Sequence, residues 1–298
     1  MELTNLSQIR ALLERHGFRF SKSLGQNFLT EAWVPRRIAE ASGADKGTGV
    51  LEVGPGIGCL TEQLSLRAGK VVAIELDQAL RPVLAETLAG RENVRVLFGD
   101  ALRMDLRALA ETELAGLRPV VCANLPYNVT TPLLTAFLEA GCFSTVTVMI
   151  QKEVARRLCA GAGSGDYGAF TVFVNWYTEP EYLFDVAPGC FVPRPKVTSA
   201  VVRLTRRAAP PAEVCSEKAF FRVVRAAFGQ RRKTLANALS AGLGDRDKEA
   251  VRTAMARCGL PERARGETLD IPAFAALTDV LYAVGNAEEK SKKLEKNS

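Results

Sequence analysis

The sequence predicts an α/β fold with a seven-stranded, mostly parallel sheet, followed by a small all-helical domain. Short β-branched runs alternate with amphipathic helical stretches up to about Thr205, the pattern of a sheet covered by helices. A glycine-rich turn, Gly54-Pro55-Gly56-Ile57-Gly58, directly follows the first of those runs. Beyond Ala208 and the Pro210-Pro211 pair the strand-like runs cease, and helical spacing broken by Gly and Pro takes over.

The N-terminal segment from Leu3 to Phe20 mixes apolar residues with Gln8, Arg10, Glu14 and Arg15 and reads as helical. GVLEV at 49–53 is the first strand, and a helix from about Cys59 to Arg67 follows it. KVVAIEL at 70–76 precedes a helix across Gln78 to Leu88. VRVLF at 94–98, VVCAN at 120–124 and TVTVMI at 145–150 supply the third, fourth and fifth strands. Such runs suit strands buried on both faces. A short helical stretch, Gln151 to Leu158, leads into the glycine-rich loop GAGSGDYG. AFTVFVNWY at 169–177 and VTSAVVRL at 197–204 are predicted as two further strands, antiparallel neighbours at one edge. Helices are expected near 215–228, 231–241, 247–258 and 272–284, and the charged end EEKSKKLEKNS is expected to be disordered. The division is therefore 1–207 for the α/β domain with its N-terminal helical segment, 208–286 for the helical domain, and 287–298 for the tail.

Composition narrows the function. The chain has 298 residues and a hydrophobic fraction of 47%, enough for a large core and two domains. No segment reaches the ~18 consecutive apolar residues of a membrane helix, so no membrane association and a cytoplasmic location are expected. The seven cysteines are odd in number and lack CxxC spacing, which suggests neither a zinc site nor a disulfide framework. His16 is the single histidine, so histidine-based triads and metal clusters are excluded, and no protein-bound metal is expected. Net charge is +6, but its distribution is uneven. Residues 1–200 carry 20 basic and 21 acidic side chains, whereas residues 201–298 carry 19 and 12. Between Val186 and Lys233 there are eleven basic residues and two acidic ones, Glu213 and Glu217. That field favours a polyanionic partner, with a solubilising surface as the alternative. Arg194, Lys196, Arg222, Arg225, Arg231, Arg232 and Lys233 are the candidate phosphate contacts.

The glycines at 54, 56 and 58 lie between a strand and a helix, where missing side chains permit a tight turn and close approach of backbone to a ligand. Glu75 ends the second strand, Asp100 follows the third and Asn124 ends the fourth. Polar side chains at successive strand ends converge on the crevice where open α/β sheets bind ligands. A carboxylate at Glu75 suits a ribose diol, and one at Asp100 suits an adenine amino group.

Asn124-Leu125-Pro126-Tyr127 carries the chemistry. An adenine amino nitrogen is a poor nucleophile because its lone pair is delocalised into the ring. The Asn124 side-chain carbonyl and the Leu125 backbone carbonyl can grip the two amino hydrogens and aim the lone pair at an electrophilic methyl group. Pro126 fixes the backbone direction, and Tyr127 can stack on the base. Phe191, in a loop stiffened by Pro193 and Pro195, is a second stacking candidate, with core packing as the alternative. An ordinary strand-to-loop turn would also accommodate the tetrapeptide; the glycines and acidic strand ends favour catalysis. No first-shell base is required, which fits the near absence of histidine.

The ordered blocks SLGQNFL (23–29), LEVGPGIG, AIELD, FGD, NLPYNVTTP, MIQKEVARRL, YGAF, PGCFVPRPKVTSAVV and FGQRRKTLANAL (228–239) closely resemble the KsgA/RsmA family of small-subunit ribosomal RNA adenine N6,N6-dimethyltransferases. RGETLDIPAFAALTD resembles the bacterial KsgA-like branch. The resemblance implies a Rossmann-like class I methyltransferase domain with S-adenosylmethionine as cofactor and S-adenosylhomocysteine as product. It implies that Asn27 and Leu29, with Gln26, close over the cofactor, that Gly54 and Gly56 meet its amino-acid end, that Glu75 and Leu76 flank its ribose, and that Asp100 and Ala101 meet its adenine. Asn124 would lie between cofactor and target base. The implied substrate is a pair of adjacent adenosines in the 3′-terminal hairpin loop of 16S rRNA, within an immature small subunit, each dimethylated by a monomeric enzyme. A relative acting on large-subunit rRNA, Erm-like, and a nonenzymatic RNA-binding factor on the same fold are the alternatives.

Overall fold

The computed structural model describes residues 1–19 and 25–282. The expected disorder of 287–298 and the end of the last helix beyond 282 lie outside the described residues. The chain divides into two compact units, Met1–Ala155 with Glu179–Arg206, and Arg156–Thr178 with the described residues from Arg207 onward.

In chain order the first unit holds α1 (Leu6–Arg15), β1 (Phe28–Leu29), α2 (Trp33–Ala41), β2 (Thr48–Val53), α3 (Cys59–Arg67), β3 (Lys70–Glu75), α4 (Arg81–Thr87), β4 (Val94–Phe98), α5 (Leu106–Glu113), β5 (Arg118–Asn124), α6 (Thr130–Ala140) and β6 (Thr145–Gln151). The unit boundary falls within α7 (Lys152–Leu158); α8 (Ala169–Tyr177) belongs to the second unit, and β7 (Thr178–Val186), β8 (Phe191–Val192) and β9 (Ser199–Arg206) lead back through the first. Seven strands form one sheet in the order β4-β3-β2-β5-β6-β9-β7. β2, β3, β4, β5 and β6 pair in parallel, and β9 runs antiparallel to β6. The order reverses between β2 and β5, so the carboxyl ends of those strands flank the crevice where such sheets take ligands.

β2 is buried along its whole length, as its β-branched and apolar residues require. One core packs Val34, Ile38, Leu60 and Leu64 of α2 and α3 with Val50, Val71, Val120 and Met149 of the sheet. Another gathers Ile9, Leu12 and Leu13 of α1 with Val83 and Leu84 of α4. Side-chain caps start several helices: Asn5 accepts from Ser7 N and Gln8 N, and Asp105 accepts from Ala108 N. Each cap is worth about 1 kcal/mol. His16 contacts Glu86, which Arg15 also engages; the His16 bond and the Arg15 charge hold the Glu86 carboxyl below its usual range.

The second unit is helical: α8, α9 (Glu217–Gly229), α10 (Leu235–Leu243), α11 (Lys248–Arg257) and a last helix over 271–282. Its core stacks Trp176 on Phe220 at 4.3 Å and packs Val172, Val224, Leu239 and Phe274 around them.

Three expectations need correction. Residues 169–177 are a helix, not the sixth strand. Val172 and Trp176 fall on its buried side, and Phe170, Phe173 and Tyr177 stack along another at helical spacing. The Thr171 hydroxyl accepts from Gly168 N at its start, so local capping and tertiary packing outweigh β-propensity. The strand is instead β7, TEPEYLFDV, whose charges and Pro180 interrupt any apolar run; it ends the sheet beside β9, and an edge strand tolerates proline. Consequently the division is discontinuous, with 156–178 grouped with the helical unit, where the sequence reading had one boundary after 207. Finally α10 begins at Leu235, leaving 231–233 in a turn that precedes it.

Candidate active site

Every residue predicted for cofactor or catalysis lines a single cavity of the first unit. Its empty volume is about 1170 Å³, open solvent included.

Gly54 and Gly56 turn the chain out of β2 with φ of 72° and 59°, a region that side chains disfavour. A Cβ on Gly56 would stand 3.1 Å from the Phe28 ring, and one on Gly54 would be 3.7 Å from Pro126 Cδ. Glu75, at the end of β3, accepts from Gly56 N at 3.2 Å and from Asp77 N at 2.8 Å, which aims its carboxylate across the turn. Burial raises its pKa, against those two bonds. Asp100 caps the turn Ala101–Arg103 through a 3.0 Å bond from Leu102 N, with Arg103 3.5 Å away. Leu76 and Leu102, 51% and 41% exposed, present apolar surface to the same cavity, while Ala101 is buried.

The second wall comes from distant sequence. β1 and β8 pair antiparallel, Phe28 opposite Val192 and Leu29 opposite Phe191, which joins the N-terminal block to the FVP loop. Gln26 donates to Asp77 at 2.7 Å, and Asn27 donates to Gly25 O at 2.9 Å. Leu29 lines the cavity from the core. Phe191 is only 5% exposed and packs with Leu29 and Cys190 in the core, so it forms a wall of the cavity, not a free plate.

Asn124 ends β5 opposite Met149 of β6, and Leu125 N donates to Met149 O at 3.1 Å. Pro126 and the turn Tyr127–Val129 follow, closed by bonds from Val129 N and the Thr130 hydroxyl to Pro126 O, both 3.2 Å. Among the described residues the Asn124 amide has no protein partner, leaving it available to a ligand. The Tyr127 ring is half-buried and burial raises its pKa; its hydroxyl lies 2.6 Å from the hydroxyl of Ser199.

Glu52, Leu102, Asn128 and Ser199 belong to the site or its support and went unread in sequence. Glu52 is 1% exposed in β2, lines the cavity, and its Oε2 lacks a hydrogen-bond partner. Burial, reinforced by the Glu75 charge, pushes its carboxyl up to about 8. A carboxylate inside an otherwise apolar strand was the signal for it. Ser199 carried none, since its partner is 72 residues away.

None of the basic candidates is among the residues that line this cavity. Arg194 and Lys196 are exposed in the loop before β9, and Arg225, Arg232 and Lys233 are exposed in the second unit. Arg222 is tied to Asp245 and the Leu243 carbonyl. Arg231 donates to Gly165 O and Tyr167 O at 3.0 and 3.1 Å, so its first task is internal. No group of residues suited to a metal occurs among the described residues, and no helix there is long and apolar enough to cross a membrane.

A model of the family described as ribosomal RNA adenine dimethylase matches residues 17–271. The ribosomal RNA small subunit methyltransferase A of Geobacillus thermodenitrificans is 47% identical over 284 residues, covering 94% of this chain and 97% of that protein. The crystal structure of the 23S rRNA methyltransferase ErmE superposes with a TM-score of 0.64 at 29% identity, covering 85% of this chain and 99% of the other. That of a dimethyladenosine transferase from Plasmodium falciparum gives 0.70 at 24% identity, covering 84% and 95%, and shows the shared fold.

Proposed function

Because the chain belongs to the ribosomal RNA adenine dimethylase family, we propose that it dimethylates N6 of two adjacent adenosines in the 3′-terminal hairpin loop of small-subunit rRNA during subunit biogenesis. Four transfers from S-adenosylmethionine complete the reaction. The observation that carries this reading is the unpartnered Asn124 amide at the end of β5, in one cavity with the glycine turn, Glu75 and Asp100.

The residues fit that cofactor. Glu52 Oε2 is a buried acceptor without a partner, and Gly54 and Gly56 lack the Cβ atoms that would stand against the cavity-lining Pro126 and Phe28. Glu52 and the Gly54–Gly56 backbone would hold the amino-acid end, Glu75 the ribose hydroxyls and Asp100 the adenine amino group, with Leu76 and Leu102 as apolar faces. When bound, S-adenosylmethionine supplies an electrophilic methyl group on a sulfonium.

The protein's part is orientation. The Asn124 carboxamide oxygen and the Leu125 carbonyl accept the two hydrogens of the target amino group and turn its lone pair out of ring conjugation. Tyr127 stacks on the extruded base, and Phe191 backs that wall. The proton leaves from nitrogen that methylation has made acidic, so no histidine is required. Arg194, Lys196, Arg225, Arg232 and Lys233 serve as phosphate contacts on the rRNA. The protein works as a monomer in the cytoplasm, where subunits assemble.

The decisive test compares purified unmethylated small subunits with large-subunit rRNA, using labelled S-adenosylmethionine and an Asn124→Ala control. Label in the small subunit, lost in Asn124→Ala, supports the reading. Label confined to large-subunit rRNA overturns it in favour of the Erm-like alternative.

A further inference from the structure

Ser199 sits at the first position of β9, wholly buried, and its hydroxyl is 2.6 Å from that of Tyr127. Its backbone is fixed independently of the tyrosine. Ser199 is in register with Gln151 of β6, and Lys152 N donates to Thr198 O at 3.0 Å. On the other side of β6, Met149 is in register with Asn124. One strand therefore spaces the two sides: Met149, the partner of Asn124, lies two residues before Gln151, the partner of Ser199. The Tyr127–Ser199 bond closes this circuit, from β5 through the Asn124–Tyr127 turn to β9 and back across β6.

The bond gives the side chain a second anchor, at its far end, beyond the turn that carries Tyr127. A half-buried side chain can still change its first torsion, and a stacking surface works only when the ring stays in place. The hydroxyl–hydroxyl bond to a residue locked in the sheet pins Oη and with it the direction of the side chain, while packing on the ring faces sets its plane.

We infer that Ser199 is a positioning residue that fixes the Tyr127 ring against the target base, and that its contribution is greatest in the second methyl transfer to each adenosine. This rests on the proposed dimethylation. An unmodified amino group offers two hydrogens to the Asn124 and Leu125 carbonyls. After one transfer a single hydrogen remains, so one hydrogen bond is lost from the grip. Orientation of the monomethylated base then depends more on stacking, and a loosened ring slows that step more than the first.

The test measures N6-monomethyladenosine and N6,N6-dimethyladenosine over time on unmethylated small subunits, for the wild-type protein, Ser199→Ala, Tyr127→Phe and the double variant. Each single variant removes the same hydroxyl bond, so each should raise the monomethyl share by slowing the second transfer about fivefold, the scale of one neutral hydrogen bond. The double variant should match the singles, because one bond cannot be lost twice. Ser199→Thr, which keeps the hydroxyl, should restore part of the dimethyl product. Tyr127→Phe alone decides the matter if a change at the buried serine prevents folding. A wild-type monomethyl share in the folded variants, or additive effects in the double variant, overturns the role of Ser199 alone. Absence of dimethyladenosine with the wild-type protein overturns the proposed reaction, and this inference with it.

Discussion

Glu52 gives the sharpest quantitative prediction. Its carboxyl is 1% exposed, Oε2 has no hydrogen-bond partner, and burial with the Glu75 charge pushes its pKa from 4.5 up to about 8. Between those values the folded chain keeps a proton on Glu52 that the unfolded chain has released. The folded state then binds more protons, so this group's contribution to stability falls as pH rises through that window, at about 1.4 kcal/mol per pH unit. From about pH 5 to about pH 8 the loss is on the order of 3–4 kcal/mol. Glu52→Gln keeps the shape and removes the titration. A buried amide has its own cost, but one that does not change with pH. Urea denaturation of both proteins across that range should give a stability difference that moves toward the variant by several kcal/mol as pH rises. A difference that stays flat would refute the reasoning. The same variant should bind S-adenosylmethionine more weakly by calorimetry, because Glu52 can release its proton to face the cofactor's ammonium as a carboxylate and an amide cannot. A gain in stability with a loss of affinity is the signature of a polar group retained for its site.

Tyr127→Ala should reduce methyl transfer far more than Tyr127→Phe, measured with labelled cofactor, because phenylalanine keeps the stacking face; equal failure of both would contradict a stacking role. Arg232 and Lys233 are exposed, whereas Arg231 is bound to Gly165 O and Tyr167 O. Neutralising Arg232 and Lys233 together should therefore weaken subunit binding and lower the slope of log affinity against log salt by about one to two, whereas Arg231→Ala should lower thermal stability. An unchanged salt slope would move the footprint elsewhere. Trp176 is 1% exposed and stacked 4.3 Å from Phe220, so Trp176→Ala should destabilise the helical unit by about 3–5 kcal/mol in chemical denaturation. A loss under ~1 kcal/mol would mean that this core does not hold the unit.

The first five strands were legible in sequence because a covered parallel sheet demands continuous β-branched runs, and three of them end at or just before a polar residue, Glu75, Asp100 or Asn124, that marks the crevice. The sixth was misplaced because AFTVFVNWY has strand composition but helical spacing of its aromatic contacts, and because an exposed edge strand such as TEPEYLFDV lacks the apolar run. Composition at 169–177 reported hydrophobicity; what decided the conformation was the set of partners, Phe220 and Phe221 among them, far along the chain. In the site, Gly54, Glu75, Asp100 and Asn124 were readable because each sits at a strand end. Ser199 was not, since a hydroxyl pair joined across 72 residues leaves no local pattern. For Phe191 the proline-stiffened loop leaves stacking and core packing both open; pairing of β1 with β8 draws the ring into the core, where it still lines the cavity.

The most direct test of the central claim maps the methylated nucleotides after the purified protein and S-adenosylmethionine act on small subunits from cells that lack this modification. The account predicts N6,N6-dimethyladenosine at two adjacent positions of the 3′-terminal hairpin loop, and none there with Asn124→Ala. Dimethylation elsewhere, at a single adenosine, or retained in full by the Asn124 variant would contradict it.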